Sequence, residues 1–183
     1  MRQGGARAQA AVRPGGARYD AQMLTVRTAW LTVEAPEDEV QRDDTTMTVL
    51  RALLARGPFT EVDYQAVADE QALIRSRLRL LTDGEGVDLV LSCGGIGIGL
   101  RDRTPEATLE VLDRELPGLA ERMRSVAGEI YPEMALTRGV VGVRRRVLIV
   151  NLPSEAHLAK AALGSLLEVL PAAVEVVRGR AGV

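Results

Sequence analysis

Residues 86–106 read GVDLVLSCGGIGIGLRDRTPE: an apolar run, four glycines, an Arg-Asp pair and a helix start. No other stretch restricts the fold as much. Val87, Leu89, Val90 and Leu91 form the short apolar run of a strand covered on both faces. Gly94, Gly95, Gly97 and Gly99 then carry a bare backbone past the strand's carboxyl end, where it can turn sharply and approach a ligand closely. Thr104 fits a helix N-cap, Pro105 fits the first helical position, and Glu106 falls in the first turn, where negative charge is favoured. A strand with both faces buried needs a layer of helix above and below it, so the chain is expected to be α/β.

The remaining segments fit that class. Val26–Val33 reads as a first strand, and Asp44–Arg56 as a helix with Met47, Leu50, Leu53 and Leu54 on one face. Residues 61–67 alternate like a second strand. Asp69 then fits the N-cap of a helix whose Ile74, Leu78 and Leu81 share a face, closed by Asp83-Gly84. After the glycine loop a helix is expected from Thr104, broken near Pro117-Gly118 and resumed through Leu119, Met123 and Val126. Residues 138–145 read as a short hairpin, Val147–Leu152 as a fully apolar strand, and Glu155–Leu170 as a helix burying Leu158, Ala162 and Leu166. Pro171–Arg178 fits a last helical turn or an edge strand. Strands alternating with helices imply a three-layer, mostly parallel, doubly wound sheet with helices on both faces. Ligands in such folds bind beyond the carboxyl ends of the strands, which gathers Asp69, the glycine loop and Asn151.

Composition removes several function classes. The 183 residues carry a formal charge of −2, with 46% hydrophobic and 3% aromatic residues, which fits one domain with a core of Leu, Val, Ile and Ala. No basic stripe interleaved with aromatics is present, so no nucleic-acid partner is expected. No apolar run approaches the roughly 20 residues that span a bilayer, so no membrane partner is expected. Cys93 is the only cysteine, which rules out an intrachain disulfide and fits a reducing cytoplasm. Residues 1–22, with four arginines against one aspartate and two Gly-Gly pairs, read as a disordered extension. Met23 is an alternative start, and residues 23–180 read as one domain. The six acids between Glu34 and Asp44 read as a mobile loop.

Taken by residue type, the backbone N–H groups of the glycine loop can form a concavity for phosphate. Asp102 fits either a solvated loop carboxylate or a ligand for a divalent metal, and Asp69 either a cap or a metal ligand. Asn151 ends an apolar strand, where a polar side chain has no evident packing reason, although asparagines there also start turns. Arg138 fits either a phosphate contact or a surface ion pair. His157, the only histidine, sits in the first turn of a helix without a second ligand nearby, so no metal role is expected for it. Arg144–Arg146 reads as a solvated hairpin rather than a docking patch. Cys93 has no histidine near it in sequence and does not read as a nucleophile.

SCGGIGIGLRDRTPEA closely resembles the TTGGTG-x-x-P-R-D-x-T-P-E-A signature of the molybdopterin adenylyltransferases, the MogA/MoaB-like family. ADEQALI at 68–74, LTRGVVGVR at 136–144 and VLIVNLPS at 147–154 resemble the family's PDE, SRGVxG and NLPG blocks in the same order. The resemblance runs from about Leu24 to Gly179. It implies a molybdopterin-binding fold and transfer of AMP from Mg·ATP to molybdopterin with release of pyrophosphate. It implies Asp69 and Asp102 as catalytic, Mg²⁺-holding carboxylates. It places Ser92, Cys93, Gly94, Gly95, Gly97 and Arg101 on the loop, with Pro153 and Ser154, at substrate-binding positions, and Thr137, Arg138 and Asn151 at the pterin and its phosphate. It further implies a homotrimer and a molybdenum-inserting enzyme as partner.

The chain departs from the signature at Ser92 and Cys93 (paired threonines), Ile96 (threonine), Leu100 (proline), Ser154 (glycine), and Glu34-Ala35 (Ser-Asp). The lost hydroxyls at Cys93 and Ile96 leave an alternative: a non-catalytic pterin- or nucleotide-binding homologue acting as carrier or scaffold. A nucleotidyltransferase acting on another phosphorylated small molecule is a third reading.

Overall fold

The computed structural model describes residues 25–34 and 45–179. The extension at 1–22 and most of the acidic stretch lie outside the described residues. Four strands, β1 (Val26–Glu34), β2 (Phe59–Ala68), β3 (Leu89–Cys93) and β6 (Val147–Leu152), run parallel. Two short strands, β4 (Arg114–Glu115) and β5 (Val141–Arg144), extend the sheet antiparallel beside β6, giving the order β2-β1-β3-β6-β5-β4.

Alternation along the strands separates two cores. On one face Trp30, Leu89, Leu91, Leu148 and Val150 pack against four helices: α1 (Thr45–Leu54), α4 (Pro117–Gly128), α5 (Ala156–Leu166) and α6 (Leu170–Val177). On the other, Ala29, Leu31, Val90 and Ile149 meet α2 (Gln71–Asp83) and α3 (Thr104–Leu109). This is the expected three-layer α/β sheet. Helix α2 shows the logic in small: Ile74, Leu78 and Leu81 share one buried face. Leu78 is fully buried, and cutting it to alanine is expected to cost about 2–5 kcal/mol.

From β1 the chain passes to β2 on one side and then returns to β3 on the other. That reversal opens a crevice outside the carboxyl ends of β1 and β3. The pairings Thr32↔Cys93, Glu34↔Ala68 and Cys93↔Leu152 bring the four parallel strands to a common edge there.

Several elements differ from expectation. The helix after the glycine loop stops at Leu109, well before Pro117, because the chain turns to form β4 against β5. The hairpin is β5 paired with β6, so its second strand is the apolar run itself. Its turn is at Arg145, with φ +52°. A 3-10 turn at Pro132–Leu136 carries no clear sequence signal. The last segment resolves as helix α6. Among the described residues no helix is long and apolar enough to cross a membrane.

Candidate active site

The glycine loop leaves β3 through Gly94, which has φ +103° and whose N–H donates to the Leu152 carbonyl at 3.0 Å. A Cβ at Gly94 would stand 2.5 Å from the Val33 carbonyl oxygen, so no side chain fits. The loop is then folded back on α3: Thr104 donates its N–H to Gly95 O (3.1 Å) and its hydroxyl to Gly94 O (2.9 Å). Thr104 is therefore not the N-cap expected from sequence. Arg103 occupies that position, and the threonine ties the two ends of the loop together. With only six residues in α3, an anion brought to this region would meet loop amides more than a helix dipole.

Asp102 closes the loop from within, its Oδ2 accepting the Gly99 N–H at 2.7 Å. A Cβ on either Gly97 or Gly99 would lie 2.8 Å from that oxygen. The glycines thus let the backbone wrap closely around one carboxylate. Beside it Arg101 reaches across to Asp69, Nη2 to Oδ1 and Nε to Oδ2 both at 2.7 Å. Asp69 is not a helix cap either, since Glu70 takes that position in α2. Its two oxygens hold Arg101 in the fork geometry that a guanidinium favours.

Two polar positions at the strand ends face inward. Asn151 and Ser92 are fully buried. The Asn151 amide donates to Ser92 Oγ (2.8 Å) and Thr108 Oγ1 (3.0 Å), and its oxygen accepts the Val140 N–H at 3.2 Å. This network joins β3, β6 and α3 directly behind the loop, and it supplies the packing reason for Asn151 that the sequence does not show. Cys93 faces the opposite core, its thiol donating to the Pro153 carbonyl at 3.0 Å. Burial pushes that thiol up to about 12, with the Glu155 charge adding to the effect, which removes nucleophilic character at neutral pH. Ile96 is buried as well and lies against Gly139.

A groove of about 370 Å³ opens along the loop, lined by Gly95, Gly97, Ile98 and Asp102 on one wall and by Thr137, Ser154 and His157 on the other. Thr137 is held by its hydroxyl bond to Met134 O (2.8 Å). The segment bearing Ser154 is held from α1, where Thr46 donates to the Ser154 carbonyl at 2.8 Å. His157 packs edge-on against Tyr131 and lies 3.6 Å from Glu133. Sequence pattern alone gives His157 no ligand role, and it gives no hint of Glu133, because the 3-10 turn that carries this residue has no signal. Arg138 is not on this wall. It lies behind the loop, where it bonds Glu106 and holds that carboxyl below the usual range.

The donor set accommodates one magnesium ion. Asp102 keeps Oδ1 outside the bond to Gly99, and magnesium takes one or two carboxylates together with substrate phosphates. Asp69 offers a second carboxylate only where Arg101 gives it up. Among the described residues no cluster of three or more His, Cys, Asp or Glu is close enough to form an all-protein metal cage.

Comparison with known proteins gives the family. Residues 23–172 match the family described as "Probable molybdopterin binding domain". Over 106 residues the chain is 42% identical to the molybdopterin adenylyltransferase of Haemophilus influenzae, covering 58% of this chain and 53% of that one. It is 38% identical over 119 residues to the Helicobacter pylori enzyme of the same name, covering 65% and 68%. The chain thus spans between about half and two thirds of these curated relatives. Among solved structures, the molybdopterin biosynthesis enzyme MoaB of Thermus thermophilus superposes with a TM-score of 0.79 at 49% identity, covering 85% of this chain and 98% of that one. With its parallel-sheet crevice, its glycine loop closed on an aspartate and a family match across most of its length, this chain belongs to the molybdopterin binding domain family of molybdenum cofactor biosynthesis.

Proposed function

We propose that the protein transfers AMP from ATP to the terminal phosphate of molybdopterin and releases pyrophosphate. In this reaction an oxygen of the pterin's phosphate forms a bond to the α-phosphorus of ATP, and the bond from that phosphorus to the oxygen bridging to the β-phosphate breaks. The electron pair leaves with pyrophosphate. A phosphate monoester is already largely ionised at neutral pH, so no strong base is required, and the work is positioning and charge neutralisation.

The observation that carries the reading is a groove edged by loop amides and by Asp102 at the carboxyl edge of the sheet. The N–H groups of Gly97 and Ile98 make no hydrogen bond among the described residues, which suits them to phosphate oxygens. At about 370 Å³ the groove falls within the roughly 300–1,000 Å³ typical of small-molecule sites. Asp102 would hold magnesium, which when bound neutralises phosphate charge and steadies the leaving pyrophosphate. Asp69 keeps Arg101 at the loop until substrate phosphates compete for it, and so stands ready as a second carboxylate. Thr137 and Ser154 on the facing wall would receive the pterin end. Ser92 and Asn151 support the loop from behind. A homotrimer, a cytoplasmic setting and hand-over to a molybdenum-inserting enzyme accompany this reading on family resemblance.

The carrier alternative rests on hydroxyls missing at Cys93 and Ile96. Cys93 is buried against the opposite core, so its change removes no group from the groove, whereas Ile96 lines the groove and puts an apolar side chain where the signature has a hydroxyl. The experiment is incubation of the protein with molybdopterin and Mg·ATP, following adenylylated molybdopterin and pyrophosphate together. Formation of both in equal amounts is expected. Molybdopterin binding without either product would replace the enzyme reading with the carrier one.

A further inference from the structure

All three guanidinium nitrogens of Arg138 are bonded within the protein. Nε donates to the Gly97 carbonyl at 2.7 Å, Nη2 to the Asp102 carbonyl at 2.7 Å, and Nη1 to the Glu106 carboxylate. The Arg138 backbone N–H adds a bond to the Ile96 carbonyl at 2.7 Å. One residue therefore grips the entry of the loop (Ile96, Gly97), its exit (Asp102) and the helix beyond it (Glu106).

A planar trans peptide carries its C=O and N–H on opposite sides. Drawing the Ile96 and Gly97 carbonyls onto Arg138 leaves the N–H groups of Gly97 and Ile98 facing away from it. Neither donor has a partner among the described residues, a property shared with the Gly95, Ile96 and Leu100 amides, but these two belong to the peptides whose carbonyls Arg138 holds. Gly97 and Ile98 line the groove that Asp102 borders, whereas Arg138 does not. Arg138 lines a second cleft with Arg124 and Gly139, which shares only Thr137 with the groove.

We propose that Arg138 is a positioning residue: it fixes the peptide planes of the glycine loop so that the Gly97 and Ile98 amides form a rigid phosphate cradle, and it does not itself contact substrate. This differs from the pterin-side contact that family resemblance places at this position, and it rests on the adenylyl-transfer reading for the identity of the phosphate. A lysine would keep the charge but has no fork with which to reach two carbonyls and a carboxylate together. Arg138→Lys and Arg138→Ala are therefore expected to behave alike. Both should lower kcat about a hundredfold, the scale on which displacement of a positioned group by about 1 Å reduces rate, with little change in the KM for molybdopterin.

The test uses the full chain and NMR. In the ligand-free protein the Arg138 Nε–H should exchange slowly and should not shift when Mg·ATP or molybdopterin is added. The Gly97 and Ile98 amides should have order parameters near ~0.85, falling below ~0.6 in both variants. Glu106→Gln, which keeps the bonds to the carbonyls, serves if the Arg138 variants unfold, and should loosen the loop only in part. Amides that stay rigid in Arg138→Ala would overturn the proposal. So would an Nε–H that shifts on ligand addition, or an Arg138→Lys variant with normal kcat and a raised KM. Absence of product from the unaltered protein would count against the adenylyl-transfer reading alone, since the loop order parameters are measured without substrate.

Discussion

The two ends of the parallel sheet are both rich in arginine and carboxylate, and they use these groups in opposite ways. At the amino end Asp88 is almost completely buried and both its oxygens are taken. Arg27 donates from its backbone N–H (2.8 Å), Nε (2.9 Å) and Nη2 (3.0 Å), and Arg178 donates from Nε (3.0 Å) and Nη2. Arg178 also bonds Thr25 O, so β1, β3 and the end of α6 are joined by one closed network. At the carboxyl end Arg138 is bonded to carbonyls of the loop, and the Gly97 and Ile98 amides have no partner among the described residues. The amino-end cavity is larger, about 790 Å³ against 370 Å³. The proposed site is thus the smaller of the two, chosen because donors without partners beside a carboxylate are what a phosphate can use.

The comparison breaks most visibly at Asp88. Asp88→Asn leaves Arg178, whose side chain is 12% exposed, without its counter-charge. The cost is expected near the lower end of the ~3–5 kcal/mol found for broken buried pairs, because Arg27 is 47% exposed. Urea unfolding measures it, and turnover per folded molecule should be unchanged. The same pair sets an acid dependence. Burial raises the Asp88 pKa, but the hydrogen bonds from Arg27 and Arg178 outweigh it and bring the carboxyl down to about 2 from 3.8. The folded-state value is depressed, so the stability it confers is fully present above about pH 4 and is lost as pH falls towards 2. In Asp88→Asn this part of the acid limb should vanish.

A smaller effect is expected at Asn151, between the two regimes. Asn151→Ala leaves Ser92 and the Val140 N–H without their partner, at about 1–3 kcal/mol in unfolding free energy, while Thr108 keeps its bond to Thr104 O. The KM for molybdopterin should hold; a raised KM without loss of stability would move Asn151 into the groove. The smallest effect is at Cys93. With its pKa near 12, only about one thiol in ten thousand is ionised at pH 8. Iodoacetamide should leave the folded protein unmodified and alkylate it once on unfolding, and prompt labelling of the folded state would contradict the burial.

Local pattern is enough to read β3 and β6, whose apolar runs mark strands with both faces covered, and to read the glycine loop, whose residue type dictates its backbone. Long-range partners are not readable in this way. Thr104 and Asp69 have the local chemistry of helix caps, yet each side chain is claimed by a group distant in sequence or across the loop, Gly94 O and Arg101 respectively. Asn151 looks unexplained in the sequence only because Ser92 and Thr108 lie 59 and 43 residues away. Helix α3 ends early because β4, two residues long, has no periodicity to detect and exists through its pairing with β5.

The most direct test of the account is single-turnover release of pyrophosphate from Mg·ATP in the presence of molybdopterin, measured for the unaltered protein and for Asp102→Ala, with thermal unfolding followed in parallel. The carboxyl-edge site predicts that the substitution lowers the rate by at least ~10²-fold, as expected for removal of a preorganised charge at the reacting phosphates, while the melting temperature holds. A variant that releases pyrophosphate at the normal rate and melts normally would contradict the assignment of this loop as the active site.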